Sequence, residues 1–442
     1  MNATMFSSTE ARMSAPPSEC ADAAPPRIGR KAVAAAVAGN ALEFYDFVIY
    51  AYFAVYIGKT FFPVGGEFGS LLAAVAAFGV GFFTRPLGGV LIGAFADKAG
   101  RKPAMILTVA LITVGTLGLA ATPGYGSIGI AAPVIVVFCR LLQRLALGGE
   151  VGPATALLIE AAPAERRGFY SNWQIASQGL AVAVGGCLGV GLSLALPPEQ
   201  LAAWGWRIPF LLSLVLVPVT IHIRRSLPET HGQRQERSGS AIVGTVFREH
   251  RKLLLLGVLA TASTAVASQV GNYMVTYAVQ VLKLPAAVAQ GSVLMGGLMT
   301  FVFALLGGAQ CDRHGRRIVN ALPRAALLVL IVPLFMWLAG SPGTVTLLVV
   351  SAILAALTAM FGTAGLVQVP ELLPIAVRST GLSLVYAIGT SVFGGTTQFV
   401  VTWLLAVTKN PMAPAWYVVA MSAVSIWAMW KLPESREVDV RR

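Results

Sequence analysis

The chain has 442 residues, 56% of them hydrophobic and 12% charged, which leaves too little polar surface to coat a soluble globule of this length, so lipid must cover the rest. A formal net charge of +13 raises nucleic acid as a partner, but its distribution excludes one. With the N-terminus inside, 25 of the 32 Lys and Arg fall on the inner side, while Lys59, Arg207, Lys283 and Lys409 lie outside and Arg85, Arg140 and Arg144 within apolar spans, the positive-inside asymmetry of a multi-pass membrane protein with both termini in the cytoplasm.

Residues 1–31 are rich in Ala, Ser and Pro, lack the apolar stretch of a signal peptide, and are predicted to form a disordered cytoplasmic tail. Apolar stretches of about 20 residues or more, the length a bilayer requires, follow at 32–57, 69–96, 103–122, 131–160, 169–196 and 206–223. A polar linker, 224–252, is predicted to join two halves on the cytoplasmic side. The pattern then repeats at 253–280, 287–310, 319–340, 344–369, 381–407 and 414–431, before a cytoplasmic tail at 432–442. The predicted fold is all-α, with twelve transmembrane helices in two six-helix bundles, 32–223 and 253–431, able to rock about a central site. The cysteines at 20, 139, 187 and 311 form no CxxC and none falls in an outside loop, so neither a disulfide nor a metal site is expected.

The halves also repeat in detail. Gly93-Ala-Phe-Ala-Asp97-Lys-Ala-Gly100-Arg101-Lys102 recurs 215 residues later as Gly308-Ala-Gln-Cys-Asp312-Arg-His-Gly315-Arg316-Arg317. The first Gly lets two helices approach, the second permits a tight turn, and the Asp suits a helix cap. Likewise Glu160-x-x-Pro163-x-x-x-Arg167 matches Glu371-x-x-Pro374-x-x-x-Arg378. Asp97, Arg101, Glu160 and Arg167, with Asp312, Arg316, Glu371 and Arg378, are therefore candidates for a charge network that closes the cytoplasmic side.

These repeats resemble the major facilitator superfamily over about residues 30 to 432. More narrowly, Gly39-Asn40-Ala-Leu-Glu43-Phe-Tyr-Asp46-Phe47, Arg85-Pro86-Leu-Gly88-Gly89, Arg140-Leu-Leu-Gln143 with Gly149-Glu150, and Trp204-Gly-Trp-Arg-Ile-Pro-Phe210 resemble its metabolite:proton symporter family. Gly168-Phe-Tyr-Ser-Asn-Trp173-Gln174-Ile-Ala-Ser177-Gln178 and Phe393-Gly394-Gly395 are similar to the citrate and tricarballylate symporters. Two positions depart from that pattern: Arg144 stands where the family places Gly, and Thr397-Gln398 replaces a Thr-Pro in a helix expected to kink.

Charges at bilayer depth cost several kcal/mol unless paired or hydrated, which makes them functional candidates. At about 1.5 Å per residue from the cytoplasmic ends, Glu43, Arg85 and Glu150 share a layer near 15 to 17 Å, and Asp46, Arg144 and Arg140 lie deeper. An Arg between carboxylates suits proton coupling, assigned here to Glu43, Asp46 and Glu150; a static network that fixes helix packing is the alternative reading. Arg140 and Arg144, one turn apart, suit an anion with carboxylates. Gln269, Asn272, Tyr273, Thr276, Tyr277 and Gln280 form a polar stripe on the seventh helix. The substrate-binding candidates are Asn40, Arg85, Arg140, Gln143, Arg144, Trp173, Gln174, Gln178, Gln269, Asn272, Tyr273, Tyr277, Gln368 and Gln398.

No nucleophile with a base, metal-ligand spacing or nucleotide fingerprint is present, so neither an enzyme nor a cofactor is expected. The sequence points to a transporter in the bacterial inner membrane, acting as a monomer. Its partners are a small organic anion, protons and the lipid bilayer, with no nucleic acid. The resemblance implies proton symport of a di- or tricarboxylate such as citrate. The alternatives are another metabolite (shikimate, 2-oxoglutarate, an osmolyte) or a sensor that binds without transporting.

Overall fold

The computed structural model describes residues 30–65, 68–99, 101–147, 166–226, 251–371 and 384–431, with single positions at 158, 248 and 381. Twelve spans follow in chain order. They are α1 (Arg30–Tyr52, continued by Ala54–Phe61), α2 (Gly69–Phe83, continued by Arg85–Ala99), α3 (Arg101–Ala121), α4 (Ala131–Leu147), α5 (Arg167–Ser171, continued by Trp173–Ala195) and α6 (Ile208–Ser226). The second half holds α7 (Arg251–Gln280), α8 (Ala286–His314), α9 (Arg316–Gly340), α10 (Thr344–Glu371), α11 (Leu384–Thr408) and α12 (Ala413–Lys431).

Among the described residues, eight helices are long and apolar enough to cross a membrane, or nine when the two pieces of α1, bent by 63°, count as one span. Of the remaining three, α3 and α6 have shorter apolar stretches, Ile106–Ala121 and Gly205–Val219, and α4 ends where the described residues do. The lipid boundary shows in the side chains. Trp403, Trp416, Trp427 and Trp430 are all exposed, Trp430 at 72%, as are Phe83, Val90, Val134 and Leu322, whereas Asp46, Arg140, Arg144 and Gln269 are buried. An apolar exterior around a polar interior is stable only in lipid.

Within each half, hydroxyls pin the helices together. The Tyr45 hydroxyl donates to the Pro209 carbonyl, joining α1 to α6, and the Ser425 hydroxyl accepts the Ser263 amide, joining α12 to α7. Between halves, the contacts are α5 against α8 and α2 against α11, and both depend on missing side chains. A Cβ on Gly179 of α5 would sit 2.6 Å from the Phe301 nitrogen and 2.9 Å from the Gly297 oxygen of α8, and one on Gly79 of α2 would sit 2.5 Å from the Gly395 oxygen of α11. Glycine lets the backbones touch, which is how helices associate where no hydrophobic effect drives them together.

The α11 helix opens into a π turn at Thr390–Gly394, beside Phe82, whose carbonyl accepts the Ser391 hydroxyl at 2.8 Å. This widening lies just before Thr397-Gln398, the pair that stands where the resembled subgroup carries Thr-Pro. Such a turn releases backbone groups from the regular ladder at a position facing the other half.

Candidate functional site

Between the halves lies a cavity of about 180 Å³ as measured by water centres, many times the roughly 10 to 15 Å³ that one buried water requires. Its first-half wall is aromatic, with Phe44, Phe47, Phe82 and Arg85 beside Gln178. Its second-half wall sets polar groups among small apolar residues such as Ala265, Ala355 and Gly362: Thr261, Thr264, Ser268, Gln269 and Asn272 from α7, Ser292 and Thr300 from α8, Ser351 and Thr358 from α10, and Tyr386 and Thr390 from α11.

Arg85 is the charged member of this lining among the described residues. Its guanidinium lies 4.9 Å from the Phe82 ring centre and 5.7 Å from that of Phe47, and its Nε has no partner. Gln178 of α5 and Tyr386 of α11 line the cavity with it, so α2, α5 and α11 meet at this point. Among the described residues no carboxylate bonds to Arg85, and a cation held by ring faces is electrostatically poised for an anion.

Arg140, Arg144 and Asp46, expected to face substrate or to sit in one layer with it, lie behind this wall in the core of the first half. The reason lies on neighbouring helices: Gly81 of α2 leaves the volume that the Arg144 side chain fills, and Gly115 of α3 leaves that of Gln143. The Arg144 guanidinium is stacked 4.0 Å from the Phe47 ring centre, 4.8 Å from Phe82 and 5.1 Å from Phe78, and none of its three nitrogens has a hydrogen-bond partner. Phe47 and Phe82 therefore have Arg85 on the cavity side and Arg144 on the core side.

Arg140 stacks on Tyr50 at 4.2 Å and donates from Nη1 to Gln143 Oε1 at 2.6 Å. Gln143 Nε2 donates to the Thr116 hydroxyl at 2.7 Å, and that hydroxyl donates to Asp46 Oδ2 at 2.7 Å. The second carboxylate oxygen of Asp46, Oδ1, is unpartnered. The acid and the base are linked through two neutral side chains.

The other expected residues divide in the same way. Gln178, Gln269 and Asn272 reach the cavity. Asn40 instead ties α1 to α5 through the Gln174 carbonyl and the Ser177 hydroxyl, and Trp173 packs edge-on against Phe301. The Tyr273 hydroxyl accepts from Thr402 and the Tyr277 hydroxyl donates to the Pro411 carbonyl, so that face of the α7 stripe bonds within its own half. Gln398 bonds Gln269 at 3.2 Å, and Glu43 is half-buried next to the cavity-lining Phe44.

At the end carrying the repeated loop motif, Asp312 of α8 accepts the Gly168 amide at 2.9 Å and the Phe169 amide at 3.0 Å, capping the start of α5 from across the halves. At the far end, the Tyr52 hydroxyl donates to Asn272 at 3.4 Å and Gln290 donates to the Tyr52 carbonyl at 3.3 Å. Glu150, Glu160 and Arg378, and the side chains of Asp97, Arg101, Arg167, Arg316, Gln368 and Glu371, lie outside the described residues.

Sequence reasoning missed two features. The cavity hydroxyls at 261, 264 and 268 continue the α7 stripe at helical spacing, a signal hidden because Thr and Ser are common in transmembrane helices. Arg324, left with the inner-side charges above, is 1% exposed inside α9.

Two halves of six spans, paired by close backbone contact around a polar cavity with buried charge, define a secondary membrane transporter. The Major Facilitator Superfamily profile matches residues 36–395, and the chain belongs to that superfamily. It is 34% identical over 402 residues to the citrate-proton symporter of Salmonella typhi, covering 90% of this chain and 92% of that protein. It is 35% identical over 413 residues to that of Klebsiella pneumoniae, covering 93% of each. The alpha-ketoglutarate permease of Escherichia coli (strain K12) is 33% identical over 402 residues, covering 89% of this chain and 91% of that one. Among solved structures, a D-xylose-proton symporter superposes with a TM-score of 0.76 at 16% identity, covering 92% of this chain and 98% of the other, a likeness of fold.

Proposed function

We propose that the protein imports an organic anion with two or three carboxylates together with protons, by alternating access in the bacterial inner membrane. Both termini face the cytoplasm, and the unit of function is the monomer. The observation that carries the reading is Arg85, a cation in the cavity wall with an unpartnered Nε. Relatives about one third identical, two citrate-proton symporters and an alpha-ketoglutarate permease, support the substrate class.

Energetics require coupling. At about 2.3 kcal/mol per charge per 100 mV, a trianion entering against a 100 mV potential costs roughly 7 kcal/mol unless protons accompany it. Asp46 offers a physical link. While ionised it offsets one of the two buried arginines behind the Phe47 and Phe82 wall; once protonated, that cluster gains a positive charge and the cavity becomes more attractive to an anion. By linkage, a bound anion then holds the proton more firmly. Glu43 and Glu150 are further candidates for the proton. Asp312 on the start of α5, with the matching Asp97 motif, forms the cytoplasmic gate. The two bundles, 32–223 and 253–431, move about the 224–252 linker.

Uptake into proteoliposomes under an imposed pH gradient, with a panel of labelled organic acids, tests this reading. Concentrative uptake of citrate or 2-oxoglutarate that collapses with the gradient is the expected result. Gradient-driven uptake of a zwitterion alone would overturn the substrate class, and binding with no uptake would make the protein a sensor.

A further inference from the structure

Arg324 is a buried cation with no part in the scheme above. Its Nη1 donates to the Ala260 carbonyl of α7 at 2.8 Å, and its Nη2 reaches the Thr264 hydroxyl, also on α7, at 3.4 Å. Its guanidinium lies 4.8 Å from the Phe361 ring centre of α10, and its Nε is unpartnered. Among the described residues, no carboxylate bonds to it.

Thr264 lines the cavity, and so does Thr358 of α10, whose buried hydroxyl has no partner. The two helices are close here: a Cβ on the intervening Gly362 of α10 would lie 3.1 Å from Thr264 Cγ2. A hydroxyl that accepts from a guanidinium keeps its own proton free to donate. Thr264 can therefore receive from Arg324 on one side and donate to a carboxylate on the other. The arginine itself is not among the residues that line the cavity; Thr264 is its contact to that lining.

We propose that Thr264, backed by Arg324, is a second carboxylate-recognition point, on the half opposite Arg85, so that an anion with carboxylates at both ends is held between the two halves. The proposal rests on the organic-anion reading. It makes Arg324 a positioning residue, which acts through Thr264, and it gives Thr358 the role of a neighbouring donor. A monocarboxylate would satisfy one half only.

The test is equilibrium binding of succinate and of its monomethyl ester to purified protein in lipid nanodiscs, with citrate and 2-oxoglutarate as further probes of the wild type. Thr264→Val and Arg324→Met are each expected to weaken succinate on the order of tenfold, as loss of a hydrogen bond to a charged group does, and to change the half-ester by less than about twofold. Arg324→Lys and Thr264→Ser should restore most of the succinate affinity. Thr264→Val leaves the Arg324 bond to the Ala260 carbonyl in place, so it decides the matter even if Arg324→Met misfolds. Equal losses for the two ligands, or a wild-type preference for succinate retained in Thr264→Val, would overturn the proposal and leave Arg324 as a clamp on α7. Wild-type protein that binds none of succinate, citrate and 2-oxoglutarate would instead overturn the organic-anion reading itself.

Discussion

Asp46 and Arg140 are joined without touching: Gln143 and Thr116 stand between them, each bond in the chain 2.6 to 2.7 Å long. A direct ion pair would hold the two charges against each other. The relay leaves Arg140 Nε and Nη2 and one Asp46 oxygen without partners, so the charge state of the acid can change without dismantling a salt bridge.

That arrangement leads to the first expected outcome. Asp46→Asn removes the charge but retains an acceptor for Thr116, so substrate exchange across the membrane should persist while pH-gradient-driven accumulation is lost. Counterflow and concentrative uptake, measured on the same proteoliposomes, separate the two. Undiminished accumulation in Asp46→Asn would move proton coupling to Glu43 or Glu150.

Arg144 gives a second. A buried guanidinium held only by ring faces is costly, and an apolar residue of similar length often stabilises such a site by about 1 to 4 kcal/mol. Arg144→Met should therefore raise the thermal unfolding midpoint while weakening the binding of a polycarboxylate, since one positive charge behind the cavity is gone. A lowered midpoint would mean that the stacking on Phe47, Phe78 and Phe82 outweighs desolvation.

The gate contact gives a third. Asp312→Asn keeps one acceptor for the start of α5 but removes the charge that favours a helix N-terminus, a change of about 0.5 to 2 kcal/mol. If Gly168 and Phe169 separate from Asp312 when the cytoplasmic side opens, turnover should change several-fold while equilibrium affinity stays within about a factor of two, because the contact lies outside the cavity. Equilibrium titration beside initial-rate uptake checks it; a large affinity loss at normal turnover would remove Asp312 from the gate.

The interface between halves gives a fourth. Gly179→Val forces a branched side chain against the α8 backbone and should cost about 1 to 3 kcal/mol, as overpacking does, together with most transport. Gly191→Ala on the same helix, where a Cβ meets nothing within 4 Å, is the control and should remain active.

The membrane class, the twelve spans and the duplication were legible in the linear sequence, because apolar length and repeated motifs are properties of local stretches. The Asp312 motif was readable as a helix cap for the same reason, but its partner was not, since α5 lies more than a hundred residues away. Arg85, Gln178, Gln269 and Asn272, candidates for the substrate site, line one cavity, and helical spacing, which gives the face of each helix, is a property of the sequence.

The rotation of each helix about its own axis and its volume match with its neighbours were decided only by the tertiary structure. Depth along a helix places Arg140 and Arg144 level with a central site, yet it does not say which way they turn. Gly81 and Gly115, on two other helices, vacate the space that draws Arg144 and Gln143 into the first-half core, and Phe47 and Phe82 close over them. For Arg324 the same limit applied in reverse: sequence counted it with the charges at the membrane edge, and packing against Ala260, Thr264 and Phe361 carried it inside. A sequence determines which residues a helix can offer to a cavity. Which of them arrive there depends on the residues of other helices that leave or fill the intervening space.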